Sequence, residues 1–125
     1  MADTVITITG REKLAKARAG VANLPPITHM AFGSGGVDGM GEPIIYPNTV
    51  TQLGNEELRA VVSISNPVVT TNRYSGSIGK LELSGVQISE IGLFDEDGDL
   101  IAIRTFTKKQ KDLGIEMIFE MDDVF

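Results

Sequence analysis

The chain has no cysteine and no tryptophan, and only one histidine and two tyrosines among 125 residues. Without thiols there is no disulfide and no thiolate metal site, which fits synthesis in a reducing cytoplasm. His29 is the sole imidazole, and no serine or aspartate stands in an elbow or triad pattern that would make it a catalytic base. Only by meeting its own copies on a symmetry axis could it hold a metal. The scarcity of Trp and Tyr leaves few stacking surfaces for sugars, which weighs against the alternative of a soluble carbohydrate- or ligand-binding β-domain. Basic groups are short as well: 11 against 17 acids leave a net charge of −6, which opposes binding to a phosphate backbone. No run of about 18 apolar residues is present, so no membrane-spanning helix is expected. The opening Met1-Ala-Asp-Thr carries an acid where a signal peptide carries a basic patch.

What remains is 42% hydrophobic, enough for one globular domain over residues 1–125 with a core of its own. Thr4 to Ile8 alternates as a short strand. Thr9 and Glu12 have capping-box spacing, which predicts a helix from about Gly10 to a stop at Gly20, with Pro25-Pro26 blocking continuation. On that helix Gly10, Leu14, Ala17 and Val21 form a narrow stripe of mostly small side chains suited to packing on a sheet. Ile27 to Phe32 reads as a strand, with Ile27, His29 and Ala31 on one face and Thr28, Met30 and Phe32 on the other. Gly33 to Thr51 is too rich in Gly and Pro for regular structure and reads as a long functional or mobile loop.

Beyond that loop, Gln52 to Glu57 reads as a helical turn and Leu58 to Ser65 as a strand with Ala60, Val62 and Ile64 inward. Asn66-Pro67 ends or kinks it. Val68 to Thr71 continues it before a loop over Asn72 to Gly79. Lys80 to Leu83 alternates again, and so does Gly114 to Met121, where Ile115, Met117, Phe119 and Met121 share one face. Between them Ile88 to Ile103 reads as a hairpin, with strand-forming runs on both sides of Asp95-Glu-Asp-Gly-Asp99 and Asp97-Gly98 supplying the positive φ of a tight turn. Six to eight short strands and one helix, without βαβ alternation, predict an α+β fold, mainly antiparallel β with one N-terminal α-helix packed on the sheet. No internal repeat or heptad run is present.

Three stretches also carry a family resemblance. Glu90-Ile-Gly-Leu-Phe-Asp95 followed by Asp97-Gly98 and Leu100-Ile-Ala102 resembles the signature of the N-terminal, tail-collar type domain of bacteriophage tail-fibre proteins. Thr9 to Gly20 followed by Ile27 to Gly36 is similar to that family's opening helix, strand and Gly-rich loop. Leu53-Gly-Asn-Glu-Glu-Leu-Arg-Ala60 resembles its Leu-x-Asn-Glu stretch. Together they cover most of the chain. The resemblance implies a phage or prophage tail structural protein, a tail-fibre attachment or baseplate-proximal adaptor made in the host cytoplasm and carried in the virion tail. It would act through interfaces with other tail or baseplate proteins and with its own copies, a trimer being favoured, and with no nucleic acid or membrane as partner. Contact surfaces are then expected at Leu14 and Ala17 on the helix, at Gly33, Gly35 and Gly36 in the loop, and at Ile115, Met117 and Phe119 on the last strand.

Chemical readings of the same segments are weaker. Asp95, Asp97 and Asp99 open like an EF-hand loop, but the positions that need Gly and a bidentate Glu hold Leu100 and Phe106, so a solvated turn is the better reading. The run Gly33 to Gly41 has no following Lys-Ser or Lys-Thr, and Asp38 stands where a dinucleotide fingerprint has its third Gly. Glu56-Glu57 and Asp122-Asp123 are sequence neighbours that point apart. No catalytic, cofactor-binding or metal-binding residue is therefore assigned, no cofactor is expected, and an enzyme is the least favoured class. The basic groups Arg11, Lys13, Lys16 and Arg18, and separately Lys108, Lys109 and Lys111, read as solvated surface or as docking patches for an acidic neighbour.

Overall fold

The computed structural model describes residues 3–125, so Met1 and Ala2 of the Met1-Ala-Asp-Thr opening read from the sequence lie outside the described residues. Eight strands and one helix follow in the order β1 (Asp3–Ile6), α1 (Ile8–Arg18), β2 (Ile27–Gly33), β3 (Glu56–Val61), β4 (Ser63–Val68), β5 (Thr71–Ile78), β6 (Gln87–Asp95), β7 (Leu100–Gln110) and β8 (Met117–Val124). The mainly antiparallel α+β expectation holds. No helix among the described residues is long and apolar enough to cross a membrane.

One sheet runs β1-β7-β6-β2-β3 and a second β4-β5-β8, every pairing antiparallel. The sheets face each other across the larger core cluster, in which Met30, Phe32, Ile91, Leu93 and Phe106 meet Tyr74, Ile78 and Met121. The opposite face of the large sheet carries Ala31, Phe94, Leu100 and Ile103, and it is covered by Tyr46, Val50 and Leu53 from the long loop after β2. Both faces of the central strands are thus buried. This is why β6 reads as a nearly continuous apolar run, where a strand with one wet face would alternate.

The chain passes straight from β3 to β4, with Val62 donating its N–H to Thr28 O at 3.0 Å where the strand changes sheets. The sandwich is therefore closed along β3 and β4. On the other side no further strand pairs with β1 or β8 among the described residues, and between them a groove opens over Leu93 and Ala102.

Several local expectations are corrected. The helix cap is Thr7 and not Thr9: its Oγ1 accepts from Gly10 N–H at 3.0 Å and donates to Leu100 O at 2.7 Å, so the helix starts at Ile8 and the first strand is shorter than read. Of the small-residue stripe only Gly10 is buried, and a Cβ there would sit 3.0 Å from Ile101 O. Leu14 and Val21 are exposed. Gln52 to Glu57 forms no helical turn, and the single strand read over Leu58 to Ser65 is two strands in different sheets. Ile64 points out and not in. Asn72 to Gly79 is mostly strand β5, while Lys80 to Leu83 is a turn, with Leu83 at φ 51°. In the β6–β7 turn only Gly98 takes positive φ, and Asp97 does not. The last strand begins at Met117, which leaves Ile115 outside it and exposed.

Candidate functional site

The most densely bonded point of the described chain is Glu90. It lies in mid-β6 with its side chain directed into the face covered by the long loop, and it is fully buried. Its Oε2 accepts from Gly35 N–H at 2.8 Å and Asn55 N–H at 2.9 Å. Its Oε1 accepts from the Tyr46 hydroxyl at 2.7 Å and Gly54 N–H at 2.9 Å. One carboxylate thus collects donors from three separate parts of the chain, and charge-assisted bonds to amides offset the cost of burying it. Beside it Ser89 Oγ accepts from Gly36 N–H at 2.8 Å, Asn55 Nδ2 donates to Ser34 Oγ at 2.8 Å, and Thr105 Oγ1 donates to Ile44 O at 2.6 Å.

Glycine is needed here for closeness. A Cβ on Gly35 would stand 2.6 Å from Asn55 N, one on Gly33 2.6 Å from Asn55 O, and one on Gly36 would overlap Ser89 O. In β6 itself, a Cβ on Gly92 would meet Leu53 Cδ1 at 2.7 Å. The Tyr46 pKa is pushed well above its ordinary value, first by burial and then by its bond to the Glu90 carboxylate, so the phenol keeps its proton on that bond. With both carboxylate oxygens taken up by internal donors, this is a clamp on the loop.

The second node holds the helix. Lys13 Nζ lies 2.6 Å from Asp95, 3.0 Å from Asp97 and 2.7 Å from Asp99, inside the acid group that invited a calcium reading. Burial pulls the ammonium pKa down, but its bonds to Asp95, Asp99 and Asp97 outweigh that and raise it above the ordinary lysine value. Asp95 is itself buried and takes Asp99 N–H at 3.0 Å, which closes the turn. The acidic loop is therefore a lock for α1, with a lysine ammonium standing where a cation would.

The remaining sequence-singled residues fall as follows. Gly33 and Gly36 are buried and Gly35 half-buried, all against Glu90 or Ser89. Leu14 is exposed, Ala17 half-buried, Ile115 exposed, and Met117 and Phe119 half-buried against the inter-sheet core. The Phe119 ring packs at 5.4 Å on Phe106 and 5.7 Å on Phe32. His29 Nδ1 lies 2.8 Å from Thr28 Oγ1. Lys16 pairs with Glu12 at 2.9 Å. Lys111 is not solvated surface: it is buried, with Nζ donating to Asp112 O at 3.0 Å and Lys80 O at 3.2 Å. Sequence reasoning missed Glu90 and Tyr46 as partners. The available signal was a lone acid in the otherwise uncharged run Gln87 to Phe94, which also stood in the first of the three resembling stretches.

A groove of about 400 Å³ lies on the open side of the sandwich, floored by Leu93 and Ala102 and bounded by Ile6, Leu14, Met121 and Asp123. A smaller one continues along β8 past Arg104, Lys109, Ile118 and Phe119. The three stretches that carried the resemblance converge on the two nodes: Gly33–Gly36 and Asn55 meet at Glu90, and the opening helix meets the acidic turn through Lys13. In comparisons with known proteins, the family described as phage tail-collar fibre protein, N-terminal, matches residues 1–118. No curated protein and no solved structure matches.

Proposed function

Since the chain belongs to the N-terminal family of phage tail-collar fibre proteins and is thereby a component of the phage tail, we propose that it serves as a tail-fibre attachment or baseplate-proximal adaptor, working through protein–protein interfaces and without catalysis. The observation that carries this reading is the contrast between a rigidly clamped interior and an apolar exterior. Val69 and Met40 are each 91% exposed, Leu81 82%, Val61 74% and Ile45 73%. On a member of a tail-fibre family, side chains of this kind fit contacts with neighbouring tail proteins. Met40 and Ile45 ride on the loop that Glu90 fixes, so Gly33, Gly35 and Gly36 contribute by holding a contact surface in shape. Leu14 and Ala17 on α1 and Ile115 before β8 belong to the contact surface itself, while Met117 and Phe119 pack against the inter-sheet core and support that surface from within. Three copies about a common axis are the favoured assembly. The carboxylate at the centre of the fold is saturated by internal donors, which leaves it no role on a substrate.

Two measurements test this. Sedimentation at high protein concentration is expected to give about three times the 13.4 kDa chain mass. Gold-labelled antibody against the chain is expected at one fixed level of the virion tail. A monomer at every concentration, together with virions that take no label, would overturn the proposal.

A further inference from the structure

The open side of the sandwich is shaped for one more strand. In the β5–β8 ladder Phe125 N–H bonds to Thr70 O, and because hydrogen-bonded pairs alternate in an antiparallel ladder, the amides of Ile118, Glu120, Asp122 and Val124 point away from β5. Among the described residues nothing pairs with that edge. Below it one groove is floored by Leu93 and Ala102 and a second by Ile91 and Phe106, where the smaller sheet leaves part of the larger uncovered. A strand laid along β8 would therefore satisfy a free edge and fill an apolar trench in one step.

Charge states what the strand carries. From Glu116 to Asp123 the chain holds Glu116, Glu120, Asp122 and Asp123 and no basic residue. Glu120 and Asp122 stand on the outer face, and Arg73 on the neighbouring β5 pairs with both at 3.1 and 2.8 Å, so a basic residue on the far side would continue an alternating row. Asp123 faces the groove, where burial pushes its pKa up, and Arg11 and Lys13 of α1 line the same groove, which disfavours a basic residue pointing inward. Arg104 and Lys109 line the other end beside Ile91 and Phe106, so a basic residue pointing inward is disfavoured there too. A second copy offering its own β8 would set acids against acids, and its β3 begins Glu56-Glu57.

We propose that the free edge of β8 receives an extended segment of a partner protein with basic residues outward and apolar residues inward. This rests on the reading of the domain as an adaptor and names the chemistry of its partner.

The probe is a capped peptide of alternating lysine and valine, matched to the 8 residues of β8, added to the isotope-labelled full chain and followed by NMR. Saturable shifts of the Ile118, Glu120, Asp122 and Val124 amides are expected. Ile118→Pro removes an outward amide and no β5 bond, and it should weaken binding about tenfold, the worth of roughly one hydrogen bond. Glu120→Lys, a surface change that leaves Arg73 its bond to Asp122, should weaken it similarly. Four results overturn the proposal: no binding, shifts elsewhere, equal binding of a glutamate–valine peptide, or self-association through β8 without peptide. Any of them leaves the antibody location on the tail standing as a separate result.

Discussion

Replacing Glu90 by glutamine keeps the shape of the side chain and turns one acceptor into a donor, in a pocket where every neighbour is already a donor. With its NH2 on the Oε2 side the amide faces Gly35 N–H and Asn55 N–H, which lose their acceptor; on the Oε1 side the Tyr46 hydroxyl can accept from it and turn its proton to Gly35 O at 3.1 Å, but all four bonds then lose the charge that strengthens them. The expected loss is about 3 kcal/mol, read from the chemical denaturation midpoint. Tyr46→Phe removes a single O–H and should cost about half as much. If Glu90→Gln were neutral, the clamp would not be a stability element. Glycines in the same loop separate by environment. Gly36→Ala drives a methyl into the Ser89 carbonyl and should cost about 3 kcal/mol, because backbone on both sides has to move. Gly39→Ala meets nothing within 4 Å and needs no left-handed φ, so it should fall within about 0.5 kcal/mol of the parent.

At the scale of elements, α1 is attached by its cap and by one lysine more than by an apolar face, since Leu14 is 41% exposed and only Gly10 is buried. Lys13→Gln leaves the Asp95 carboxylate buried without its cation and should cost about 3 kcal/mol at neutral pH. The Lys13 pKa is raised on folding, so its contribution is complete below the ordinary value of 10.5 and is lost as pH climbs through the higher folded value. The stability gap between parent and variant should accordingly be flat from neutral pH to about 10 and shrink above it. Denaturation midpoints across that range decide the matter, and a gap that widened with alkali would mean that Lys13 is held by something other than these carboxylates. The hairpin of β6 and β7 could be read in the sequence because its apolar runs flank Asp97-Gly98, and the only turn glycine there does take φ +83°. Strand β5 could not. Asn72-Arg-Tyr-Ser-Gly-Ser has turn composition, and its buried face is made of Tyr74, Gly76 and Ile78. Gly76 is required because the Met30 sulfur would lie 2.8 Å from a Cβ there. The Glu90 clamp was hard to read for a related reason: three of its four partners are backbone amides, which no side-chain pattern announces.

For the whole molecule, the strand order ties the chain's beginning to its end. β1 pairs with β7 about the register Thr4↔Arg104, and β5, the middle strand of the small sheet, depends on β8, the last strand in sequence. Pairings this distant give a fold that forms late and all at once, because loop closure costs entropy before any contact repays it. The family match ends at residue 118, yet the physical unit continues past it. Phe119 stacks between Phe106 and Phe32, Met121 is in the core with 5% exposure, and the ladder to β5 runs on to Val124. Cutting after Ile118 removes two core side chains worth about 2 kcal/mol each, together with most of one edge of the three-stranded sheet. What remains there is a two-stranded ribbon over an exposed Phe32 and Phe106, an arrangement marginal in water. A chain of residues 1–118 should therefore show no cooperative thermal transition and little near-ultraviolet dichroism, whereas the full chain is expected to show both. A sharp transition in the shortened chain would mean that the five-stranded sheet with its Glu90 clamp folds by itself and that the smaller sheet is an addition to it.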